Sequence, residues 1–183
     1  MSPAFSGAYD FYEVDSAPAP RTAKDAPLEL RLRGHATLSK TDAIDLTLTF
    51  ADTGSSRVTL LRPLDGTLEH MREPNYDLYL RDDATAKVYR YAFFGGRCGN
   101  VNSIGKDDYV DLKAGQERSD LEAKGWAAYI KDARIGKAGR YSVWVVYRYC
   151  AGPTHGVPLG EDFVRSDIHS GEHVSNAVAI VVH

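Results

Sequence analysis

The sequence predicts an all-β fold, an immunoglobulin-like antiparallel sandwich of about 7–9 strands preceded by an extended N-terminal segment. Three observations carry this. Apolar and polar residues alternate with a period of two in run after run, which puts one face of each run in a core and the other in water. Clusters of Gly, Pro and Asp separate the runs at short spacing, leaving no room for the helices of a βαβ unit. A Gly-x-Tyr sequence, Gly139-Arg140-Tyr141, stands just before the longest apolar run, where such sandwiches carry a tyrosine corner.

In order along the chain, residues 1–27 read as a tail or docking segment, with Pro3, Pro18, Pro20 and Pro27 and no sustained periodicity. Its aromatic residues Tyr9, Phe11 and Tyr12 are expected to dock on the domain that follows, residues 28–183, with a partner-binding anchor as the alternative. Leu28, Leu30 and Leu32 alternate with Glu29, Arg31 and Arg33, and Ile44, Leu46, Leu48 and Phe50 alternate with Asp45, Thr47 and Thr49. Val58 and Leu60 begin a short strand stopped by Pro63. Tyr76, Leu78 and Leu80 form the next, and Val88 to Phe94 is a dense aromatic strand. Tyr109 to Leu112 is followed by an Ala114-Gly115 turn, and Asp120 to Ile130 reads as a short helix or an irregular connection. Val143, Val145 and Tyr147 alternate with Trp144 and Val146, so both sides are apolar and the strand is expected to be central. Ala177 to Val182 is the last strand, and the stretch from Ala151 to Glu172 between them reads as an ordered, packed loop.

At the corner, Tyr141 is expected to send its hydroxyl to a backbone group within residues 131–136, with Val143 in the inward position that follows.

Three segments, in order, resemble the N-terminal non-catalytic domain found in precursors of the deuterolysin and peptidyl-Lys metallopeptidase group. They are Leu46-Thr47-Leu48-Thr49-Phe50-Ala51-Asp52-Thr53-Gly54, Leu60-Leu61-Arg62-Pro63-Leu64-Asp65-Gly66 and Asp108-Tyr109-Val110-Asp111-Leu112-Lys113-Ala114-Gly115-Gln116. Ala138-Gly139-Arg140-Tyr141 fits the Gly-x-Tyr that precedes that domain's next strand. The resemblance implies an accessory or propeptide-like sandwich. The His-Glu-x-x-His of the catalytic domain is absent: neither His70-Met71-Arg72-Glu73 nor Glu172-His173 has its spacing.

Composition narrows the function classes. The 183 residues are 43% hydrophobic and 26% charged, ordinary for a globular domain. A net charge of −3 gives no footprint for a nucleic-acid partner. No apolar run approaches the roughly 20 residues that span a bilayer. Met1 to Asp10 shows no signal peptide, which leaves a cytoplasmic protein or one whose signal has been trimmed.

Four constellations are candidates for chemistry or binding. Cys98 and Cys150 both follow strands, and a bridge between them ranks ahead of two thiols and well ahead of a nucleophile, since no histidine adjoins either. His155, His169 and His173, with Asp162, are the weak metal-ligand candidates, on a spacing that matches no metal motif. Tyr89, Arg90 and Tyr91 and Tyr147, Arg148 and Tyr149 would form a Tyr/Arg binding patch if their strands were neighbours. Cross-strand packing of half-buried tyrosines is the competing reading. Asp82-Asp83 and Asp107-Asp108 lack calcium-loop spacing, and no Gly-x-Ser-x-Gly elbow occurs.

The expectation is therefore a non-catalytic module, with a protein partner and no cofactor, whose working end is formed by the loops around Cys98 and 151–172. The alternatives are a propeptide-like inhibitor of a peptidase, from the resemblance, and a metal-dependent enzyme using the loop histidines.

Overall fold

The structure, a computed structural model, describes residues 11–20, 27–61, 76–91, 109–119, 133–149 and 169–183. These form twelve strands and no helix. In chain order they are β1 (Phe11–Val14), β2 (Leu28–Gly34), β3 (Thr37–Leu38), β4 (Leu46–Asp52), β5 (Val58–Leu61) and β6 (Tyr76–Asp82). They continue with β7 (Val88–Tyr91), β8 (Tyr109–Leu112), β9 (Glu117–Arg118), β10 (Gly139–Tyr149), β11 (Gly171–Val174) and β12 (Val178–Val182). The segment expected to be helical, Asp120 to Ile130, lies outside the described residues, as do Phe93, Phe94, Cys98, Cys150, His155 and Asp162.

The strands make a seven-stranded sheet in the order β1-β7-β6-β10-β12-β3, with β11 also on β10, a three-stranded sheet β2-β4-β9 and a pair β5-β8. All pairings are antiparallel except β12 with β3. β10 lies between β6 on one side and β11 and β12 on the other, as its two apolar faces require. Its odd-numbered residues Tyr141, Val143, Val145 and Tyr147 enter the main core. There they join Leu28, Leu30 and Leu32 of β2, Leu46, Leu48 and Phe50 of β4, Val58 and Leu60 of β5 and Leu78 and Leu80 of β6. On the opposite face Trp144 and Val146 pack with Tyr79, the Trp144 and Tyr79 rings stacked at 5.6 Å.

The N-terminal segment is part of this architecture. Phe11 is buried and its ring meets Tyr91 edge-on, while β1 pairs with β7 along its whole length. The chain then crosses the outer face of the large sheet, where Val14 and Ala17 pack on the Trp144 cluster. The Trp144 indole N–H donates to the Pro18 carbonyl at 2.9 Å, which satisfies a buried donor. Strand pairing therefore starts at Phe11, within the 1–27 segment read from sequence as a tail or docking segment.

β11 and β12 behave as one strand interrupted by a bulge. Between the pairs Val143–Val178 and Val146–Val174, β10 advances three residues and its partner four. One residue too many bends the strand and re-aims its side chains. The bend is held by buried Ser175. Its N–H donates to the Val145 carbonyl at 2.9 Å, its Oγ accepts from the Val145 N–H at 3.0 Å, and its hydroxyl donates to the Asn176 carbonyl at 2.8 Å. Asn176 is thereby turned toward β2. The Leu32 N–H donates to Asn176 Oδ1 at 2.8 Å, and Asn176 Nδ2 donates to the Leu32 carbonyl at 3.0 Å. Both backbone groups of Leu32 are met by one side-chain amide acting as a surrogate strand. Just upstream, the His169 N–H donates to the Thr59 carbonyl of β5 at 2.7 Å. The short run from His169 to Asn176 therefore bonds to strands of all three sheets.

Candidate functional site

Strand ends define one end of the fold. Register places Tyr76 opposite Tyr147, Leu61 opposite Tyr109, Tyr149 opposite Gly171 and Phe11 opposite Tyr91. The Tyr147 hydroxyl donates to the Leu61 carbonyl at 2.7 Å and so joins the large sheet to the β5-β8 pair there. The chain enters or leaves the described strands at this end through Leu61, Tyr76, Tyr91, Tyr109, Tyr149 and His169. Segments that connect strands on a rigid scaffold commonly carry recognition. Tyr76 and Tyr109 are buried where their strands begin, and Tyr91 is half-buried where β7 ends.

The tyrosines and arginines singled out as one patch are divided by the strand order. β6 lies between β7 and β10, so the two sets are not neighbours. Alternation along each strand then separates them by face. Tyr89 and Tyr147 are buried in the main core and Tyr91 packs against it, while Arg90 and Arg148 project from the opposite face. The side chain of Tyr149 lies outside the described residues. The physical reason is simple: tyrosine rings on a covered sheet face contribute more by burial than in water, and a guanidinium stays where it keeps solvent or a carboxylate.

Arg90 and Arg148 do converge, on Asp77 of β6. Arg90 Nε donates to Asp77 Oδ1 at 2.8 Å and its Nη2 contacts the same oxygen, while Arg148 Nη1 donates to Oδ2. Arg148 Nε also donates to Glu172 of β11 at 2.7 Å. The Asp77 side chain is 8% exposed, against 43% and 38% for Arg90 and Arg148, so one buried carboxylate lies beneath two wet guanidiniums. Burial pulls the Arg148 pKa down. A hydrogen bond with the Tyr79 side chain, the Glu172 bond and the Asp77 charge outweigh it, and the net direction is upward. For Arg90 burial is again outweighed, chiefly by Asp77. The cluster balances two positive and two negative charges across β7, β6, β10 and β11. It fixes strand register more readily than it would recruit a free anion.

The histidines are placed differently from the loop reading. His173 is a buried residue of β11, opposite Tyr147, and its ring lies 4.8 Å from that of His169 and 6.2 Å from that of Tyr147. The stretch expected to be loop through Glu172 is therefore strand from Gly171 onward. A buried strand position for His173 was hidden by its neighbours Gly171 and Glu172, both exposed, which break any apolar alternation.

Tyr141 is almost wholly buried, and its hydroxyl donates to the Lys137 carbonyl at 2.9 Å, four residues upstream. The acceptor stands one residue beyond the 131–136 stretch expected from sequence. The ring needs Gly139 beside it: a Cβ there would lie 3.0 Å from the Tyr141 hydroxyl oxygen and 3.2 Å from the ring.

Among the described residues no three of His, Cys, Asp and Glu are gathered as metal ligands, and no helix is long and apolar enough to cross a membrane. Compared with family models and with curated proteins, the chain finds no match.

Proposed function

We propose that this chain is an immunoglobulin-like β-sandwich module that binds a protein partner, without catalysis, through the end of the fold where Leu61, Tyr76, Tyr91, Tyr109 and Tyr149 terminate their strands. The observation that carries the reading is that common end. Two further features support the sandwich: faces of all three sheets contribute to one core, and the Tyr141 hydroxyl reaches back to the Lys137 carbonyl. The non-catalytic part rests on sequence, in which no histidine adjoins either cysteine and neither a Gly-x-Ser-x-Gly elbow nor a metal-peptidase motif occurs.

The test is co-purification from the native host, followed by reconstitution with the purified partner. Alanine substitutions within 92–108 and 150–168 should weaken binding at least tenfold with the melting temperature unchanged. Substitutions in the turn at the far end, Asp83 to Lys87, should leave binding intact. The reverse pattern would overturn the assignment of the working end.

A second reading, a propeptide-like domain acting on a peptidase, rests on the resemblance in segments 46–54, 60–66 and 108–116. Inhibition of deuterolysin-type metallopeptidases by the purified chain would favour it over a general binding module.

A further inference from the structure

We propose that His169 and His173 form a binding site for one borderline divalent transition-metal ion of the Zn²⁺ class, held through two imidazole nitrogens.

The geometry carries the argument. The ring centroids are 4.8 Å apart with their planes inclined by 39°. Two imidazoles on one tetrahedral ion, with metal–nitrogen bonds of about 2.0–2.1 Å, have centroids about 5 Å apart. The observed separation is compatible with two rings sharing one ion. His169 Nε2 is buried yet has no hydrogen-bond partner among the described residues. A buried ring nitrogen in that state loses solvation with nothing in return, unless it meets a proton donor or a cation. An N–H···N bond to His173 would explain two close imidazoles, but His169 Nε2 makes none.

Both side chains are anchored. The His169 backbone is fixed by its N–H bond to Thr59, and His173 is registered in β11 against Tyr147. The Tyr147 hydroxyl is engaged with the Leu61 carbonyl and is assigned no part in holding the ion. Imidazole nitrogen donors, with no carboxylate gathered beside them among the described residues, favour Zn²⁺, Cu²⁺, Ni²⁺ or Co²⁺ over Ca²⁺ and Mg²⁺. The two imidazoles fill two of the four positions of a tetrahedral ion, and a further donor completes it. His169 itself is only partly buried, which gives an ion a way in. His155 and Asp162 are not used in this argument.

The experiment uses the full chain stripped with EDTA and titrated calorimetrically with Zn²⁺, then with Ca²⁺ and Mg²⁺. One equivalent of Zn²⁺ should bind, with no comparable heat from the other two. His169→Ala and His173→Ala should each weaken binding at least tenfold, and His35→Ala, an exposed histidine beside Asp45, should not. His169→Gln, with circular dichroism and melting of the metal-free protein, controls for loss of fold. A measurement on the unaltered chain stands beside these: bound Zn²⁺ should protect His169 and His173 from diethylpyrocarbonate. Zn²⁺ binding that is indifferent to both substitutions, absence of binding at millimolar Zn²⁺, or equal labelling with and without the ion would overturn the proposal.

Discussion

Asn176 joins two sheets through a single amide, and its removal has a calculable effect. Asn176→Ala deletes the acceptor for the Leu32 N–H and the donor to the Leu32 carbonyl, bonds of 2.8 and 3.0 Å. Leu32 is 2% exposed, so its backbone groups are poorly placed to find water unaided. Each bond is worth about 1 kcal/mol net, more if the orphaned group stays dry. Asn176 is itself partly exposed, and the vacated space admits some solvent. The expected loss is about 2 kcal/mol, a fall in Tm of roughly 4–8 °C for a chain of this size. Asn176→Asp separates the two bonds. It keeps the acceptor for the N–H but turns a carboxylate oxygen on the Leu32 carbonyl, so it should be at least as damaging at neutral pH and should recover when acid protonates the side chain. Urea denaturation with an unchanged m-value gives the free energy. Hydrogen exchange at the Leu32 amide gives the location, with protection in the alanine variant falling by up to roughly 30-fold if exchange proceeds through global opening. A change below 0.5 kcal/mol with Leu32 exchange unaltered would refute the surrogate-strand account.

Tyr141→Phe should cost about 1 kcal/mol, toward the low end for a deleted buried hydroxyl because the acceptor residue Lys137 is exposed and water can replace the bond; an unmoved urea midpoint would count against the corner. Asp77→Ala leaves Arg90 and Arg148 facing each other without their shared carboxylate, and should cost about 2 kcal/mol, below the range for a fully buried pair because both guanidiniums are wet. Asp77→Asn should fall between the two, and equal stability of all three proteins would show that the cluster contributes nothing. The Asp82 carboxyl lies below its ordinary range: burial pushes it up, but the N–H groups of Ala84 at 2.9 Å and Thr85 at 3.3 Å, with the Thr85 side chain and the Lys137 charge, outweigh burial. A depressed folded-state pKa stabilises above the unfolded value and is lost as pH falls through the folded one. Acid titration should therefore show a loss of stability below about pH 4 that is smaller in Asp82→Asn, and identical acid limbs would refute the assignment.

The strands legible in the sequence are those whose apolar residues recur with a period of two. β2, β4 and β6 carry Leu, Phe or Tyr at every second position, and β10 reads as central because Val143 and Val145 face one core while Trp144 and Val146 face another cluster. β1 was hidden because four residues beside prolines become a strand only by pairing with β7, some 80 positions later. β3 and β9 are two residues each, too short for any period. The bulge at Ser175-Asn176 is a difference in count between two strands, and no single strand contains it. The same holds for the Tyr/Arg patch. Alternation placed the tyrosines on one face of each strand, but only the order of strands shows β6 standing between β7 and β10. The candidate working end was partly legible, since turn-rich sequence follows each strand that stops there. The His169–His173 pair is legible as residue types, but the buried strand position of His173 is not, because exposed Glu172 masks the inward turn of its neighbour.

The bond between Leu32 and Asn176 spans 144 positions. At ribosomal rates of about 5–20 residues per second, β2 waits roughly 7–30 s after its synthesis before its partner amide exists. Throughout that interval a nascent chain presents a leucine-rich strand with an open flank, the kind of segment that pairs with the wrong neighbour. The interposed Glu29, Arg31 and Arg33 then act as gatekeepers. Charges at every second position keep the unfinished strand soluble, and the Arg31–Glu29 pair at 2.7 Å lets them persist side by side once the sheet has closed. Neutralising those three residues would remove the contacts of Arg31 with Glu29 and Glu117 from the folded sheet, and its larger effect is expected as aggregates formed during synthesis.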